Sequence, residues 1–299
     1  MSSSILVSGS IAYDYIMQYD GHFADHILTD KLDQLNVCYV VDQLHRYQWW
    51  AASNICYTLQ LLWQSAFLLG SVGYDYDLSY FHNRSNIDTS HILQHQYLTT
   101  ASFFGTSDRR SNQLMFFSPG AMSDSSNIQA PMDETIQYVI IAPDDPNTMM
   151  LRLDQYYNHS AQIIRDPWQQ ISNLTTEQLK ISCQKADILI VNNYEYDLIQ
   201  KKTGYDHRTL VSFYSQIIVT AGSDWSKRDH HDQEVHIPAI NYDGVVYPTG
   251  AGDAYRAGLL HGLIRHDGDR DQSMQIASLM GRYAIQHHGW QQHIITENV

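Results

Sequence analysis

Short runs of apolar residues alternate along most of the chain with segments whose apolar residues recur at helical spacing. The apolar runs are Ile5–Val7, Ala66–Leu69, Tyr138–Ile141, Gln162–Ile164, Ile188–Val191 and Gln216–Val219. Their continuous apolar character indicates strands that are buried on both faces. The helical segments cover residues 54–62, 148–157, 175–183, 195–202, 254–264 and 273–285. This alternation predicts an α/β fold in which helices cover both faces of a mostly parallel sheet.

Two stretches interrupt the alternation, at approximately residues 15–45 and 99–120. Both show β-like patterns without an intervening helix, so we predict that they pair into a small sheet that is separate from the main one and acts as a lid. The alternative is an antiparallel edge on the main sheet. The chain has no internal repeat, low-complexity run or linker, and residues 1–299 are therefore predicted to form a single domain that contains both stretches.

Composition and charge narrow the class of protein. At 299 residues and 43% apolar composition, the chain can bury a substantial core. A formal net charge of −14 argues against nucleic-acid binding, which needs a basic surface to neutralise phosphates. No N-terminal leader is evident, and the apolar runs are too short to span a bilayer. We therefore expect a soluble cytoplasmic protein.

The three cysteines lack a C-x-x-C pair and the 16 histidines lack an H-E-x-x-H motif, so neither a disulfide framework nor a zinc site is expected.

A glycine-rich turn at residues 249–252 is followed directly by Asp253 and a helical segment. Glycines permit a tight turn and a close approach to a ligand, and a helix N-terminus offers unsatisfied N–H donors, so a phosphate is the natural guest. A carboxylate beside a phosphate is repelled unless it has a function, such as taking a proton from an attacking hydroxyl. The alternative is that Asp253 only caps a helix that begins there.

Other polar residues follow predicted strands. Asn192 and Glu195 lie after Ile188–Val191, at the kind of sheet edge where α/β folds bind ligands. Glu195 could order water around Mg²⁺, or could simply stabilise the dipole of the helix that begins there. Asp14 follows the first strand and could accept hydrogen bonds from a polyol.

These motifs together resemble the ribokinase-like, PfkB-type family of carbohydrate and nucleoside kinases, and within it the bacterial adenosine-kinase-like branch. The resemblance runs over most of the chain, and several motifs in one order are far more specific than any one alone. The motifs are GSIAYD at 9–14, ASNICYTL at 52–59, NQLMFFSPGAM at 112–122, N-x-x-E at 192–195, TGAGDAYRAG at 249–258 and ASLMGRYAIQHHG at 277–289.

The resemblance implies a ribokinase-like three-layer fold with a small lid sheet, and a reaction that uses ATP as co-substrate and Mg²⁺ as cofactor. The implied residue roles are a catalytic base at Asp253, an anion hole at Gly250, Ala251 and Gly252, contacts to ATP and magnesium from Asn192, Glu195, Thr220 and Gly222, and contacts to the acceptor from Asp14 and Asn54. In this set, Glu195 would reach the metal through water.

Tryptophan marks the departures from the family pattern. The six tryptophans, at positions 49, 50, 63, 168, 225 and 290, stand where a small residue, mostly glycine, is expected. Glycine serves where the backbone approaches a ligand or needs a positive φ, and an indole meets neither demand easily. Trp49 and Trp50, close to Asn54, could fill the acceptor pocket, or could offer an aromatic face on which the acceptor stacks.

Two classes of function follow. The first is a kinase that transfers the γ-phosphoryl group of ATP to the primary hydroxyl of a nucleoside, above all the 5′-hydroxyl of adenosine, with a sugar such as ribose or fructose as a nearby alternative. The second is a nucleotide-binding protein of the same fold whose acceptor side is blocked by tryptophan. Neither needs a nucleic acid or a membrane.

The predicted lid carries four apolar aromatic residues, Phe103, Phe104, Phe116 and Phe117. These side chains could pair with a second copy of the chain, or could instead pack onto the acceptor and the main domain.

Overall fold

The computed structural model describes residues 4–82, 86–230, 233–240, 244–245, 249–286 and 291–295. The strands are β1 (Ile5–Ser8), β2 (Ala12–Gln18), β3 (Gln43–Trp49), β4 (Ala66–Val72), β5 (Ile87–Asp88), β6 (Ile92–Gln94), β7 (Ala101–Ser107), β8 (Gln113–Ser118), β9 (Tyr138–Ile141), β10 (Gln162–Arg165), β11 (Ile188–Asn192), β12 (Gln216–Thr220), β13 (Trp225–His230) and β14 (Gln233–Pro238). The α-helices are α1 (Ala51–Leu61), α2 (Ser79–His82), α3 (Pro146–Tyr156), α4 (Thr176–Lys185), α5 (Asn193–Thr203), α6 (His207–Phe213), α7 (Ala251–Arg265) and α8 (Arg270–Ala284). Within these ranges, no helix is both long enough and apolar enough to cross a membrane.

The main sheet has the strand order β14-β13-β12-β11-β10-β9-β1-β4-β5, and β6 also pairs with β4. Its strands are parallel from β12 through to β5, whereas β13 and β14 add an antiparallel edge. All six strands predicted from the apolar runs belong to the parallel part, so the predicted mostly parallel sheet is confirmed.

The two faces of the main sheet are buried against different groups of helices. In β11, Ile188 and Ile190 join the core cluster that includes residues of α1, α7 and α8, whereas Leu189 and Val191 join the cluster that includes residues of α3, α4, α5 and α6. Successive residues of a strand point to opposite faces, so a strand covered on both sides must be apolar throughout. The three-layer arrangement therefore follows directly from the continuous apolar runs.

A second sheet of four strands, in the order β3-β2-β7-β8, lies apart from the main one. Strand β2 pairs with β7 in parallel, and the other two pairings are antiparallel. This confirms a separate small sheet built from the two exceptional stretches. Most of the first stretch is not strand, however, because Phe23–His26 and Thr29–Gln34 form 3₁₀ turns between β2 and β3.

Close packing of α7 on α8 explains two glycines of α7. A Cβ atom on Gly258 would lie 2.8 Å from the Cα atom of Ala277, and one on Gly262 would lie 2.5 Å from the Cα atom of Ser273. Both distances are shorter than any real contact of this kind, so only glycine allows the two helices to approach this closely. The contact anchors α7, whose N-terminus carries Asp253.

Of the five tryptophans that the structure describes, three have a positive φ, which is one of the two backbone demands that glycine serves: 95° at Trp50, 56° at Trp63 and 33° at Trp168. Trp49 and Trp225 instead lie in strands β3 and β13, and Trp290 lies outside the described residues. At Trp50, Trp63 and Trp168 the indole is therefore attached to a backbone conformation that favours glycine.

Trp63 offers the cleanest test of this backbone strain. It follows α1 in a Schellman motif, in which its N–H donates to the Gln60 carbonyl and the Gln64 N–H donates to the Leu59 carbonyl. Its side chain is 84% exposed, so little packing is lost when it is removed. We expect Trp63→Gly to raise the free energy of unfolding by about 1 kcal/mol, because glycine adopts the left-handed conformation without a Cβ penalty. Chemical denaturation measures this change. Trp63→Ala removes the indole but keeps the Cβ atom, so an equal gain from alanine would contradict the backbone explanation.

Candidate active site

Helix α7 begins at Ala251, and its N-cap is Gly250 in the left-handed conformation, with a φ of 91°. No side chain caps this helix end, so the amide groups of the first turn keep their free N–H donors. Asp253 is the third residue of α7, not its N-cap. The alternative that Asp253 merely caps the helix is therefore wrong, and its carboxylate makes a different contact.

Asn54 in α1 holds the Asp253 carboxylate. The Asn54 Nδ2 atom donates to Asp253 Oδ2 over 2.7 Å, and the Asn54 Oδ1 atom accepts a hydrogen bond of 2.9 Å from Gln291 Nε2. Because both ends of the Asn54 amide are bound, its orientation is defined and the donor faces Asp253. Two residues predicted at separate motifs, 199 positions apart, thus meet in one site.

A buried arginine in the next turn of α7, Arg256, places a positive charge near the same carboxylate. The guanidinium of Arg256 donates to both carboxylate oxygens of Asp166, with Nη2 to Oδ1 at 2.6 Å, and its Nη1 atom donates to the Gly252 carbonyl over 2.9 Å. Arg256 and Asp166 are 7% and 1% exposed, so this is a buried ion pair. Asp166 directly follows β10, at the same edge of the sheet as Asn192 and Thr220, whose Cα atoms are partners in β11 and β12.

Burial and charge set the protonation of these groups. Desolvation raises the pKa of Asp253 to about 6, although the Arg256 charge and the hydrogen bond from Asn54 oppose the rise. Burial disfavours the charged form of Arg256, but the contacts with Asp166 outweigh it and raise the pKa of the guanidinium. Burial also raises the pKa of Glu195. Asp253 is thus close to the proton affinity that suits a base working near neutral pH.

Asp14 lies in β2 and its carboxylate is bound by the side chain of Trp50. The Trp50 Nε1 atom donates to Asp14 Oδ1 over 2.7 Å, and Asp14 is 2% exposed. Burial raises the pKa of Asp14 to about 7, and the hydrogen bond from Trp50 opposes the rise. Trp50 precedes α1, and its carbonyl accepts from the Asn54 N–H, so the start of α1 links Asp14 to Asp253.

Asn192 and Glu195 form a capping box at the start of α5. The Asn192 side chain accepts from the Glu195 N–H, while the two carboxylate oxygens of Glu195 accept from the backbone N–H and the Nδ2 atom of Asn192. These bonds satisfy helix donors and fix both side chains at the carboxyl end of β11. The sequence pattern N-x-x-E therefore has a local structural role, whatever else it binds.

A cavity of about 420 Å³ opens beside the glycine-rich turn. It lies between the end of the main sheet and the helices α7 and α8, and it brings together four of the predicted site residues: Thr220, Gly222, Ala251 and Gly252. Its other walls are largely apolar and include Trp225, Ile240, Tyr255 and Ile285. The size and lining suit a flat organic ring with a few polar contacts.

The candidate site also contains residues that the sequence analysis missed. Arg256, Asp166 and Gln291 were not assigned roles, although they position Asp253 and Asn54. For Arg256 a signal was present, since a charged residue flanked by apolar residues in a largely apolar helix must find a partner when it is buried. Gln291 lies 38 residues beyond Asp253, so neither helical nor strand spacing in the sequence relates the two residues.

Comparison with known proteins defines the class. A nucleoside kinase from Burkholderia thailandensis, solved in complex with inosine, is 30% identical and superimposes with a TM-score of 0.82 over 97% of this chain and 93% of that one. The same enzyme has been solved in complex with ADP-inosine. A nucleoside kinase from Methanocaldococcus jannaschii is 27% identical over 82% of each chain. A ribokinase from Thermotoga maritima is 15% identical over 98% of this chain and 96% of that one, and it shares the fold with a TM-score of 0.76.

These relatives confirm the predicted ribokinase-like fold and make the chain a phosphotransferase that acts on a hydroxyl group. Residues 50–297 match the family model described as the pfkB family carbohydrate kinase. The match covers most of the chain, and the protein belongs to this family.

Proposed function

We propose that the protein transfers the γ-phosphoryl group of ATP to the primary hydroxyl of a nucleoside, with the 5′-hydroxyl of adenosine as the first candidate. The observation that carries the proposal is the contact between Asn54 and Asp253 at the uncapped N-terminus of α7. It fixes a carboxylate whose pKa is raised to about 6 next to Ala251 and Gly252, which carry free backbone donors and line the cavity. The similarity to nucleoside kinases supports a nucleoside over a simple sugar.

Each part of the site would then have one task. Asp253 takes the proton from the acceptor hydroxyl as the hydroxyl oxygen attacks the γ-phosphorus of ATP. The bond from the γ-phosphorus to the bridging oxygen breaks, and ADP leaves with that oxygen. The free N–H groups at Ala251 and Gly252 donate to the oxygens of the transferring group, where negative charge is concentrated. Asp14 and Asn54 hold the acceptor, and Thr220 and Gly222 border the nucleotide. Phosphoryl transfer depends mainly on positioning and charge stabilisation, which these residues supply.

Magnesium would enter this site with the nucleotide. The described residues contain no cluster of three or more histidine, cysteine or acidic side chains that could hold a metal ion directly. Each oxygen of Glu195 accepts one hydrogen bond from Asn192 and keeps a free lone pair, so Glu195 could hold a water molecule that is bound to the ion. Magnesium keeps several waters and takes few protein ligands when it is bound to phosphates, and the sparse donor set fits that mode.

The second sheet would act as the lid of the acceptor site. Asp14 belongs to its strand β2, and Phe117 of strand β8 stacks on Trp50, with ring centroids 4.8 Å apart. Much of β8 is exposed, and Phe116 has 68% of its surface accessible. A lid excludes water, which would otherwise compete with the acceptor for the phosphoryl group. The exposed apolar side chains of β8 also support pairing of two copies through this sheet.

A second candidate function is favoured by one observation. The Trp50 indole N–H donates a hydrogen bond to Asp14, so in this conformation the indole blocks the acceptor side. The cavity proposed for the nucleotide is open. A protein fixed in this state would bind nucleotide without acceptor-dependent turnover.

An acceptor panel separates the candidates. The protein is mixed with Mg-ATP and one acceptor at a time, namely adenosine, inosine, other nucleosides, ribose and fructose, and ADP release is followed beside a sample without acceptor. The proposal predicts acceptor-dependent ADP release that is fastest with a nucleoside. Faster release with ribose or fructose would establish a sugar kinase instead. ADP binding in calorimetry without acceptor-dependent release from any compound would establish the second candidate.

The pH dependence of the reaction follows from the raised pKa of Asp253. A base must be ionised to accept a proton, so kcat/KM for the acceptor is expected to rise with pH and to level off above an apparent pKa of about 6 to 7. The upper end of this range reflects Asp14, whose carboxylate also faces the acceptor. Initial rates between pH 5 and pH 9 measure the profile. A profile that is flat between pH 5 and pH 8 would contradict a base of this kind.

A further inference from the structure

Trp50 occupies the acceptor site in a way that imitates the acceptor. Its indole N–H donates to Asp14 over 2.7 Å, as an acceptor hydroxyl would, and its ring stacks on Phe117, as a nucleobase would. The ring also lies edge-on to Trp168, with centroids 6.3 Å apart, and packs against Ala12, Ala101 and Met122. The Trp50 side chain thus contacts both the second sheet and residues outside it.

The backbone of Trp50 is held in an unfavourable conformation. With φ at 95° and ψ at 160°, it lies in a region that is essentially restricted to glycine. Strain of this kind persists only where surrounding contacts maintain it. The hydrogen bond to Asp14 and the stacking on Phe117 are such contacts, and they hold the indole in the site.

We propose that Trp50 is a built-in competitor of the acceptor, whose indole must leave Asp14 and Phe117 before a nucleoside can bind, so that Trp50 sets the acceptor affinity. This inference rests on the proposed function, since it takes Asp14 as the residue that receives the acceptor hydroxyl. When the nucleoside displaces the indole, its hydroxyl replaces the indole N–H as the hydrogen-bond donor to Asp14. Its base replaces the indole ring in the stack on Phe117. Only molecules in which the indole has left the site can bind a nucleoside. The apparent nucleoside affinity is therefore the affinity of the open site multiplied by the fraction of molecules in which the site is open.

Trp50→Gly is the variant that removes both the competitor and the strain. If the indole fills the site in nine of ten molecules or more, the affinity for a nucleoside should rise by about tenfold or more in this variant. Nucleotide affinity should not change, because Trp50 is not among the residues that line the nucleotide cavity. Trp50→Phe keeps the ring and loses the N–H donor, so it should give a smaller gain.

Calorimetric titration with inosine and with adenosine, in the absence of ATP, measures this affinity in the wild type, Trp50→Gly and Trp50→Phe. Trp63→Gly is the matched control, since it also removes an indole from a positive-φ position, but on an exposed surface. It should leave nucleoside affinity unchanged. ADP titration and thermal unfolding of each variant verify that the fold and the nucleotide site are intact.

The outcomes separate this inference from the proposed function. Tighter nucleoside binding by Trp50→Gly, with ADP affinity unchanged, supports the competitor. Equal nucleoside affinity in the wild type and Trp50→Gly, with turnover in both, overturns it and leaves the proposed function standing. Weaker binding by Trp50→Gly also overturns it, and would make the indole a platform for the base. Intact ADP binding with no nucleoside binding by any of the proteins would refute the nucleoside kinase itself, and the competitor with it.

Discussion

Replacing Asp253 with asparagine is expected to lower kcat for phosphoryl transfer by about 10²- to 10⁴-fold, the usual contribution of a positioned general base. Asparagine has nearly the same shape and can still accept the hydrogen bond from Asn54 through its amide oxygen, but it cannot take a proton. ADP affinity should be nearly unchanged, because the cavity proposed for the nucleotide is lined by Ala251 and Gly252 and not by the side chain at position 253.

The fold of the Asp253→Asn variant should also be preserved. A carboxyl group whose pKa is raised from 3.8 to about 6 by folding keeps a proton that the unfolded chain loses, so its contribution to stability falls as pH rises through that window. The neutral amide avoids this loss, and the thermal midpoint at pH 8 should not decrease. Asp197→Asn, an exposed change in α5, is the matched control. Activity of Asp253→Asn within a few-fold of this control would rule out Asp253 as the base.

Replacing Arg256 with methionine is expected to cost about 3–5 kcal/mol of unfolding free energy, because it leaves the buried Asp166 carboxylate without a partner. It should also raise the pKa of Asp253, because the positive charge that opposes its rise is removed. The acid limb of the pH–rate profile would then move to higher pH. Chemical denaturation and initial rates measure the two effects.

Two comparisons isolate the ion pair in that experiment. Arg208→Met removes an exposed arginine from α6 and should change stability little. The double variant with Asp166→Leu and Arg256→Met should recover much of the lost stability, because an apolar pair of suitable volume often replaces a buried ion pair without loss. A loss below about 1 kcal/mol for Arg256→Met alone would contradict the paired, buried geometry.

The main sheet was predictable because its strands are buried on both faces. Such strands must be apolar at every position, and the six apolar runs therefore marked β1, β4 and β9 to β12. The edge hairpin β13–β14 was missed because it carries polar and charged residues, such as Lys227 and Glu234, that pair with each other. Its strand character depends on pairing with β12, which composition does not reveal.

The site was predictable to the extent that local motifs define it. The glycine-rich turn placed Asp253 at a helix N-terminus, and strand ends placed Asn192 and Thr220 at one edge of the sheet. The contacts that orient these groups connect residues far apart in sequence, as Arg256 with Asp166 and Asn54 with Gln291 do. Sequence spacing contains no signal for such pairs, so only the folded structure reveals them.

The tryptophans show both the use and the limit of pattern-based reasoning. The sequence pattern marked all six tryptophans as standing at small-residue positions, and the structure gives Trp50, Trp63 and Trp168 a positive φ. The sequence pattern did not show that these tryptophans have different surroundings. Trp63 is exposed at a helix end, whereas Trp50 donates a hydrogen bond to Asp14. For Trp49, whose side chain lies outside the described part of the structure, filling of the acceptor pocket stays a prediction.

Phosphorus NMR of the reaction mixture tests the central claim most directly, since it identifies both products. The protein is incubated with Mg-ATP and adenosine or inosine, and the spectrum is followed over time. Transfer from ATP to the primary hydroxyl predicts equal growth of the ADP signals and of a monophosphate signal coupled to the 5′ protons of the nucleoside. ADP that accumulates with inorganic phosphate alone, or a spectrum that does not change with any nucleoside, would contradict the assignment of a nucleoside kinase.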